Sequence, residues 1–186
     1  MIEQLGEDSE TLQQYLSSFY CEKDSDIESF LKIRAVQFEK LSKSRTYLLV
    51  DEDQLIEGEF VILGYFTLAL KVLIIPGDKS IRSRQELDGF SGKIYGEPIH
   101  EIPCYLIGQI ARNSAVDKAS VSGSELMDSA LSVIQSAVSA VGGRYVLIEC
   151  HDDKKLVRFY EDNAFHEFAR IPMGDTPMVQ MIRKIY

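Results

Sequence analysis

Apolar and polar residues follow a helical period near the start of the chain. Between residues 26 and 43, apolar side chains recur at three- and four-residue spacings, and charged residues fill the positions between them. The apolar set is Ile27, Phe30, Leu31, Ile33 and Phe38. This spacing predicts an amphipathic helix with Asp26 as its N-cap. A shorter helix is predicted before it, over residues 10–19.

The pattern then changes to long apolar runs rich in β-branched and aromatic residues. Residues 45–50 and 60–75 each predict a strand, and the acidic segment between them suits a hairpin loop. The second run is unusually long for one strand. Residues 78–103 contain several glycines and prolines, which predicts a polar connection with a short helix around residues 82–87.

The second half of the chain alternates regularly between strand and helix patterns. Strands are predicted at residues 104–112, 144–150, 165–171 and 178–185, and helices at 122–141 and 153–163. Gly142 and Gly143 end the longer helix. Alternation of this kind is typical of a mixed α/β sheet with crossover helices.

Composition and charge limit the classes of function. The chain has 186 residues and a formal net charge of −9, which argues against a broad nucleic-acid footprint and favours cationic or amine-bearing partners. The three cysteines, Cys21, Cys104 and Cys150, show no spacing typical of a zinc site, which favours a reducing compartment. The apolar run at 62–75 is too short to span a membrane, and the acidic N-terminus does not resemble a signal peptide, so a cytoplasmic protein is expected.

One helix motif in the second half carries a family resemblance. The residues Phe159-Tyr160-x-x-Asn163-x-Phe165 follow a strand–loop–helix–strand arrangement. With these features the chain resembles the GNAT acetyltransferase superfamily, whose members transfer an acetyl group from acetyl-CoA to an amine. The resemblance implies a mixed, splayed β-sheet of about six to seven strands flanked by helices. It implies a single domain over residues 1–186, in which residues 1–25 are poorly defined.

The resemblance also implies where acetyl-CoA binds. The backbone of Ile110, Ala111 and Arg112 is expected to pair with the pantetheine arm. Backbone N–H groups at the start of the following helix are expected to bind the pyrophosphate, at Ser122, Gly123, Ser124 and Glu125. The family's loop pattern, Gln/Arg-x-x-Gly-x-Gly/Ala, is kept only in part. Lys118 stands at its first position, Val121 replaces its first glycine, and Gly123 is its second glycine. The alternative is that Ser122 to Glu125 only cap the helix.

Tyr160 is the residue that the resemblance assigns to acid catalysis. In this role its hydroxyl protonates the departing CoA thiolate. The alternative is a core tyrosine that packs beside Phe159 and Phe165. Asp153 stands at the start of the same helix, where it is expected to cap the helix near the cofactor.

The acceptor amine must be neutral before it attacks, so a base is expected as well. His100 and Glu101, with Tyr105 behind them, are the candidates; the alternative is that they form a solvated loop. Cys104 beside His100 suggests a nucleophile, but a buried thiol is the more common role of such a residue. Cys150 beside His151 suggests a nucleophile in the same way, and a buried thiol is again the more common role. His151 is also a candidate for a minor role in substrate binding.

The resulting expectation is an N-acetyltransferase that uses acetyl-CoA and no metal, with direct transfer to a primary amine of a small molecule or peptide. Two alternatives stay open besides an interaction module that uses the N-terminal helices, which would be favoured if CoA did not bind. One is a non-catalytic CoA-binding or regulatory domain, suggested by Val121 and by Ala164 in place of glycine. The other is a toxin-type enzyme acting on aminoacyl-tRNA, for which a local patch of Lys71, Lys79, Arg82 and Arg84 would be needed. The sequence also leaves open whether the chain is a monomer or a homodimer.

Overall fold

The computed structural model describes residues 9–173 and 176–185. Helices alternate with strands, and six strands form one mixed sheet in the order β1-β2-β5-β6-β8-β7. This confirms the expected fold class, a mixed α/β sheet flanked by helices. The chain divides into two compact units, residues 9–69 with 107–140 and residues 70–106 with 141–185.

The first unit begins with a helical region in four short segments. These are α1 (Ser9–Ser17), α2 (Ser25–Ser29), a π-helical turn (Phe30–Arg34) and α3 (Ala35–Lys40). The N-cap is Asp24 and not the predicted Asp26, because the Asp24 carboxylate accepts hydrogen bonds from the N–H groups of Asp26 and Ile27. The single predicted helix is therefore interrupted by a π turn. Gln13 donates to the Lys32 carbonyl within that turn at 2.7 Å.

The first strands of the sheet follow these helices. Strand β1 (Arg45–Val50) pairs antiparallel with the first half of β2 (Ile62–Ile74). The acidic segment between them, predicted as a simple hairpin loop, contains the short helix α4 (Glu52–Ile56), capped by the Asp51 carboxylate. The long apolar run is one strand of 13 residues.

The first unit is completed by the second half of β5 (Glu101–Arg112) and by α6 (Gly123–Val141). Strand β5 begins at Glu101, three residues earlier than the predicted start at Cys104. The apolar core of this unit contains Leu12, Leu16, Phe19, Cys21, Phe30, Leu31, Ala35, Ile62 and Tyr65. The helix predicted over residues 10–19 is thus present as α1, and residues 12–21 contribute to this core.

The second unit contains a polar connection and the C-terminal strands. The connection holds α5 (Ile81–Asp88) and a small hairpin, β3 (Lys93–Ile94) and β4 (Glu97–Pro98). After it come β6 (Tyr145–His151), α7 (Lys154–Asp162), β7 (His166–Met173) and β8 (Thr176–Lys184). Strand β8 pairs antiparallel with both β6 and β7. Strand β5 pairs with β6 in parallel at Tyr105↔Val146 and Leu106↔Leu147.

One face of the sheet in the second unit carries its apolar core. The core residues are Leu73, Ile75, Leu87, Ile99, Ile102, Cys104, Tyr145, Leu147 and Ile182. Arg84 of α5 is buried beside this core, and its guanidinium donates to the carbonyls of Pro76, Gly77, Lys79 and Ile99. The connection is therefore attached to the strands through Arg84.

Candidate active site

Tyr160 lies in the last turn of α7, where its ring is buried. The helix begins at the Asp153 cap, whose carboxylate accepts from the N–H groups of Lys155 and Leu156 at 2.9 Å. The Tyr160 ring contacts Phe159 and Phe165 edge-on, with centroid distances of 5.3 and 6.0 Å. Tyr160 thus has the aromatic neighbours expected of a core tyrosine, and Asp153 has the hydrogen bonds of a helix cap.

The surroundings of Tyr160 keep its hydroxyl protonated at neutral pH. Burial is the main cause that raises the pKa of Tyr160, and the nearby Cys150 thiol raises it further. Within residues 9–173 and 176–185, the Tyr160 hydroxyl makes no hydrogen bond to another residue, and it is not one of the fully buried polar atoms that lack a partner. Burial makes this hydroxyl a weaker acid than an ordinary thiol, whose pKa is about 8.5, so it can donate a hydrogen bond to the sulfur as negative charge develops there but gives up its proton only if another group returns one. The Tyr160 ring therefore packs against its neighbours, whereas its hydroxyl takes no part in this packing.

The two thiols that were considered as nucleophiles are poorly suited to that role. Burial raises the pKa of Cys104 to about 12, and burial together with Asp152 raises the pKa of Cys150 to about 11. Because the thiolate is the reactive form, both groups are almost entirely unreactive thiols at neutral pH. These pKa values favour direct transfer over a covalent acyl-enzyme.

The candidate bases His100 and Glu101 lie at the opposite end of the sheet from Tyr160. Glu101 precedes Tyr105 by four residues, and Cys150 follows Val146, the partner of Tyr105, by four residues. At ~3.3 Å per residue, Glu101 and Cys150 are roughly 26 Å apart along the strands. His100 and Glu101 are both exposed, and the His100 carbonyl accepts from the N–H of Ile75. The structure therefore does not bring these residues together with Tyr160.

At the start of α6, two side chains accept hydrogen bonds from backbone N–H groups of the first turn. The Ser122 hydroxyl accepts from the N–H of Glu125 at 3.1 Å, and the Glu125 carboxylate accepts from the N–H of Ser122 at 2.7 Å. These bonds form a capping box and lower the pKa of Glu125. The carboxylate holds a negative charge at the helix end that the resemblance assigns to a pyrophosphate. Gly123 and Ser124 lie within the same turn.

The loop before α6 is fastened to the end of β5. The Arg112 guanidinium donates to the carbonyls of Lys118 and Val121, each at 3.1 Å. Ile110, Ala111 and Arg112 are half-buried at the end of the strand, and the Lys118 side chain is exposed. Val121 is buried, so the residue in place of the family's glycine has a packing role.

The packing behind this loop is tight. A Cβ atom at Gly64 of β2 would lie 2.9 Å from the Leu126 side chain and 3.0 Å from the Ala111 carbonyl. Only a glycine leaves room for α6 at this position. Asn113 follows the end of β5, where its side-chain amide donates to the Ile62 carbonyl and accepts from the N–H of Tyr20. The end of β5, which is the candidate cofactor-binding strand, is thus closely packed against β2 and α6.

Sequence reasoning missed a partly buried polar cluster, formed by Lys71, Glu149 and Gln180. The Lys71 ammonium and the Gln180 amide both donate to the Glu149 carboxylate. Lys71 and Glu149 are isolated charges within apolar strands, a signal that could have identified them. They come together because β2 and β6 both neighbour β5 in the sheet, which the sequence does not reveal.

Comparisons with solved structures identify the fold. A mutant of KacT, with tyrosine replaced by phenylalanine, matches with a TM-score of 0.66 at 18% identity over 91% of this chain and 87% of that chain. AtaTR bound with acetyl-CoA matches with a TM-score of 0.66 at 22% identity over 91% and 86%. AtaT complexed with acetyl-methionyl-tRNAfMet matches with a TM-score of 0.64 at 21% identity over 88% and 85%. No family model matches the sequence, and no curated protein is similar enough to match it.

The chain therefore has a GNAT-type acetyltransferase fold, as the sequence resemblance implied. More particularly, it has the fold of the toxins KacT and AtaT. Among the described residues, no helix is long and apolar enough to cross a membrane. The same part of the chain contains no group of His, Cys, Asp or Glu side chains that could hold a metal ion.

Proposed function

We propose that this protein is an acetyl-CoA-dependent N-acetyltransferase that transfers the acetyl group directly to a primary amine. The observation that carries the proposal is the buried, protonated Tyr160 with an unused hydroxyl, in a chain with this fold. AtaTR bound with acetyl-CoA is the structural neighbour that supports this choice of cosubstrate. The acidic chain favours a cationic acceptor.

The residues take the roles that the family resemblance implies. Acetyl-CoA supplies an acetyl group activated as a thioester. The backbone of Ile110, Ala111 and Arg112 orients the pantetheine arm, and Tyr160 donates its proton to the departing sulfur. The start of α6 fits the pyrophosphate less well, because the Glu125 carboxylate must turn away before a second anion can bind there.

Two measurements test this proposal. Calorimetry determines whether acetyl-CoA binds, and release of free CoA thiol with a panel of primary amines determines whether it is turned over. We expect binding together with thiol release that depends on the amine, and an acetylated amine by mass spectrometry. Binding without turnover on any amine would instead support the non-catalytic CoA-binding domain.

A second candidate function is acetylation of aminoacyl-tRNA, favoured by the similarity to AtaT complexed with acetyl-methionyl-tRNAfMet. The basic patch that the sequence suggested gives it little support. Arg84 is buried, Lys71 is paired with Glu149, and Arg82 is paired with Glu86 at 3.4 Å. Lys79 lies over the Phe168 ring. Acetylation of an aminoacyl-tRNA in preference to free amines would support this candidate.

A further inference from the structure

The apolar core face of the second unit ends in three polar residues, Lys71, Glu149 and Gln180, which we call the polar layer. Each lies two residues along its strand from a core residue, Leu73, Leu147 or Ile182. Alternate residues of a strand point to the same face. The polar layer therefore continues the core face toward the end of β6.

Glu149 is at the centre of the polar layer. Its side chain is 13% exposed, and its two oxygens accept hydrogen bonds from the Lys71 ammonium and, at 2.9 Å, from the Gln180 amide. Gln180 is 8% exposed and is the direct partner of Glu149 across β6 and β8. The Lys71 side chain is 38% exposed and is the least buried of the three. Of the two groups that donate to the carboxylate, Lys71 is thus the more accessible to solvent.

Stability alone is a poor explanation for this arrangement. The Glu149 carboxylate, which is 13% exposed, loses hydration energy that attraction to a cation seldom outweighs, and apolar residues of similar volume often stabilise a fold as well or better. The surrounding positions of β2 and β6 are apolar. An apolar layer here would have continued the core without interruption.

The position of Glu149 relative to Tyr160 suggests another role. Glu149 lies two residues beyond Leu147, where the pairing of β6 with β5 is recorded, and next to Cys150, the thiol near Tyr160. Neighbouring residues of a strand point to opposite faces, so Glu149 faces away from Cys150. In a direct transfer the amine nitrogen forms a bond to the carbonyl carbon of the thioester while the bond from that carbon to sulfur breaks. The nitrogen and the sulfur lie in different directions from the carbon. The Glu149 carboxylate lies beyond the last β5–β6 pair, on the sheet face opposite Cys150, and this position suits an amine that approaches from the side away from that thiol.

We infer that Glu149 binds the acceptor in its ammonium form and that Lys71 occupies the same carboxylate when no acceptor is bound. The bound ammonium loses its extra proton to solvent water before the neutral nitrogen attacks the carbonyl carbon. The inference rests on the proposed N-acetyltransferase function and names its substrate class. The group that Glu149 holds now is a primary ammonium on an unbranched alkyl chain. The acceptor is accordingly an alkyl primary amine, such as a polyamine or the side chain of a lysine in a peptide.

Binding measurements test this inference without any need for turnover. The probe is 1,5-diaminopentane, and 1,5-pentanediol is the uncharged control of the same length; both are titrated into the full-length protein by calorimetry. We expect wild type to bind the diamine and not the diol. Glu149→Gln should weaken diamine binding about tenfold or more, because it removes the charge from a largely buried carboxylate.

Variants of Lys71 give effects in opposite directions, which a folding defect cannot produce. Lys71→Met removes the competing ammonium and should tighten diamine binding. Lys71→Arg keeps a cation with a stronger bidentate hold on a carboxylate and should weaken it. Circular dichroism checks that each variant is folded.

Glu39→Gln is the matched control for Glu149→Gln. The Glu39 carboxylate is also buried and also accepts two donors, the Thr46 N–H at 2.6 Å and the Arg45 guanidinium at 3.1 Å. This change should leave diamine affinity as in wild type. The inference is overturned if wild type does not prefer the diamine to the diol, or if Glu149→Gln binds it as wild type does.

Turnover then separates the inference from the proposed function. Where an amine is acetylated, Glu149→Gln should raise the KM for that amine far more than it lowers kcat, and the affinity for acetyl-CoA should stay unchanged. Diamine binding with no acetylation of any amine would reject the proposed function alone. Acetylation with an unchanged KM in Glu149→Gln would reject the inference alone.

Discussion

The family resemblance assigns the start of α6 to pyrophosphate binding and the end of α7 to acid catalysis, and the polar groups of these two regions differ in one respect. At the start of α6, Ser122 and Glu125 satisfy each other's hydrogen bonds. At the end of α7, the Tyr160 ring is packed between aromatic neighbours while its hydroxyl is left without a partner in the described part of the chain. The first region must rearrange before an anion can bind, whereas the second leaves a hydroxyl donor for an added group.

The largest effect is expected on kcat when the Tyr160 hydroxyl is removed. Tyr160→Phe removes the proton donor and keeps the packing, so kcat should fall by about 100- to 10,000-fold, as is typical when general acid catalysis is lost. The affinity for acetyl-CoA should stay close to that of wild type. Steady-state thiol release and calorimetry measure the two quantities.

Tyr145→Phe is the matched control for this change. Tyr145 is also buried, and its hydroxyl donates to the Glu86 carbonyl at 3.3 Å. Its loss should lower the free energy of unfolding by ~1 kcal/mol and leave kcat unchanged. An equal fall in kcat for both variants would mean that Tyr160 has only a packing role.

The next largest effect is expected at Gly64 of β2, against which the start of α6 packs. Gly64→Ala forces a Cβ against Leu126 and the Ala111 carbonyl and should destabilise the protein by about 1–3 kcal/mol in urea unfolding. Gly77→Ala is the control, since a Cβ at Gly77 meets nothing within 4 Å. Equal stability of the two variants would show that α6 is not held closely against β2.

These regions also show how far the sequence alone could lead. Strand and helix positions followed from the period of apolar residues, and the Tyr160 motif followed from the resemblance. The capping box at Ser122 and Glu125 was weighed as an alternative because its bonds are local in sequence. The contact between Lys71 and Glu149 joins residues 78 positions apart and depends on strand order, which apolar periodicity does not encode.

A smaller effect is expected from the Glu125 charge. Glu125→Gln keeps an oxygen that can accept from the Ser122 N–H but removes the negative charge from the helix start. The affinity for acetyl-CoA should therefore rise about 2- to 5-fold, the usual range for one charge in the first turn. Asp128→Asn changes an exposed charge one turn later in α6 and should have a weaker effect.

The sign of the pH dependence follows from the same carboxylate. The pKa of Glu125 is lowered by its bonds to Ser122, so its contribution to stability is present above the ordinary Glu pKa and is lost as the pH falls through the lowered value. In wild type this contribution should disappear on acidification, whereas Glu125→Gln should lack that part of the pH dependence. Unfolding curves at several acidic pH values compare the two proteins. Identical pH dependence would contradict a bonded carboxylate at this helix end.

The smallest effect concerns the turn that follows Tyr160. Ala164 has a φ of +62°, a left-handed conformation that costs a residue with a Cβ about 1–2 kcal/mol. Ala164→Gly should therefore raise the free energy of unfolding by about 1 kcal/mol, whereas Ala137→Gly in the middle of α6 should lower it by a similar amount. Opposite signs for the same substitution would show that the turn after α7 is formed as described. Because the family has glycine at this position, a gain in stability with unchanged kcat would also show that alanine here does not mark a loss of the enzyme's function.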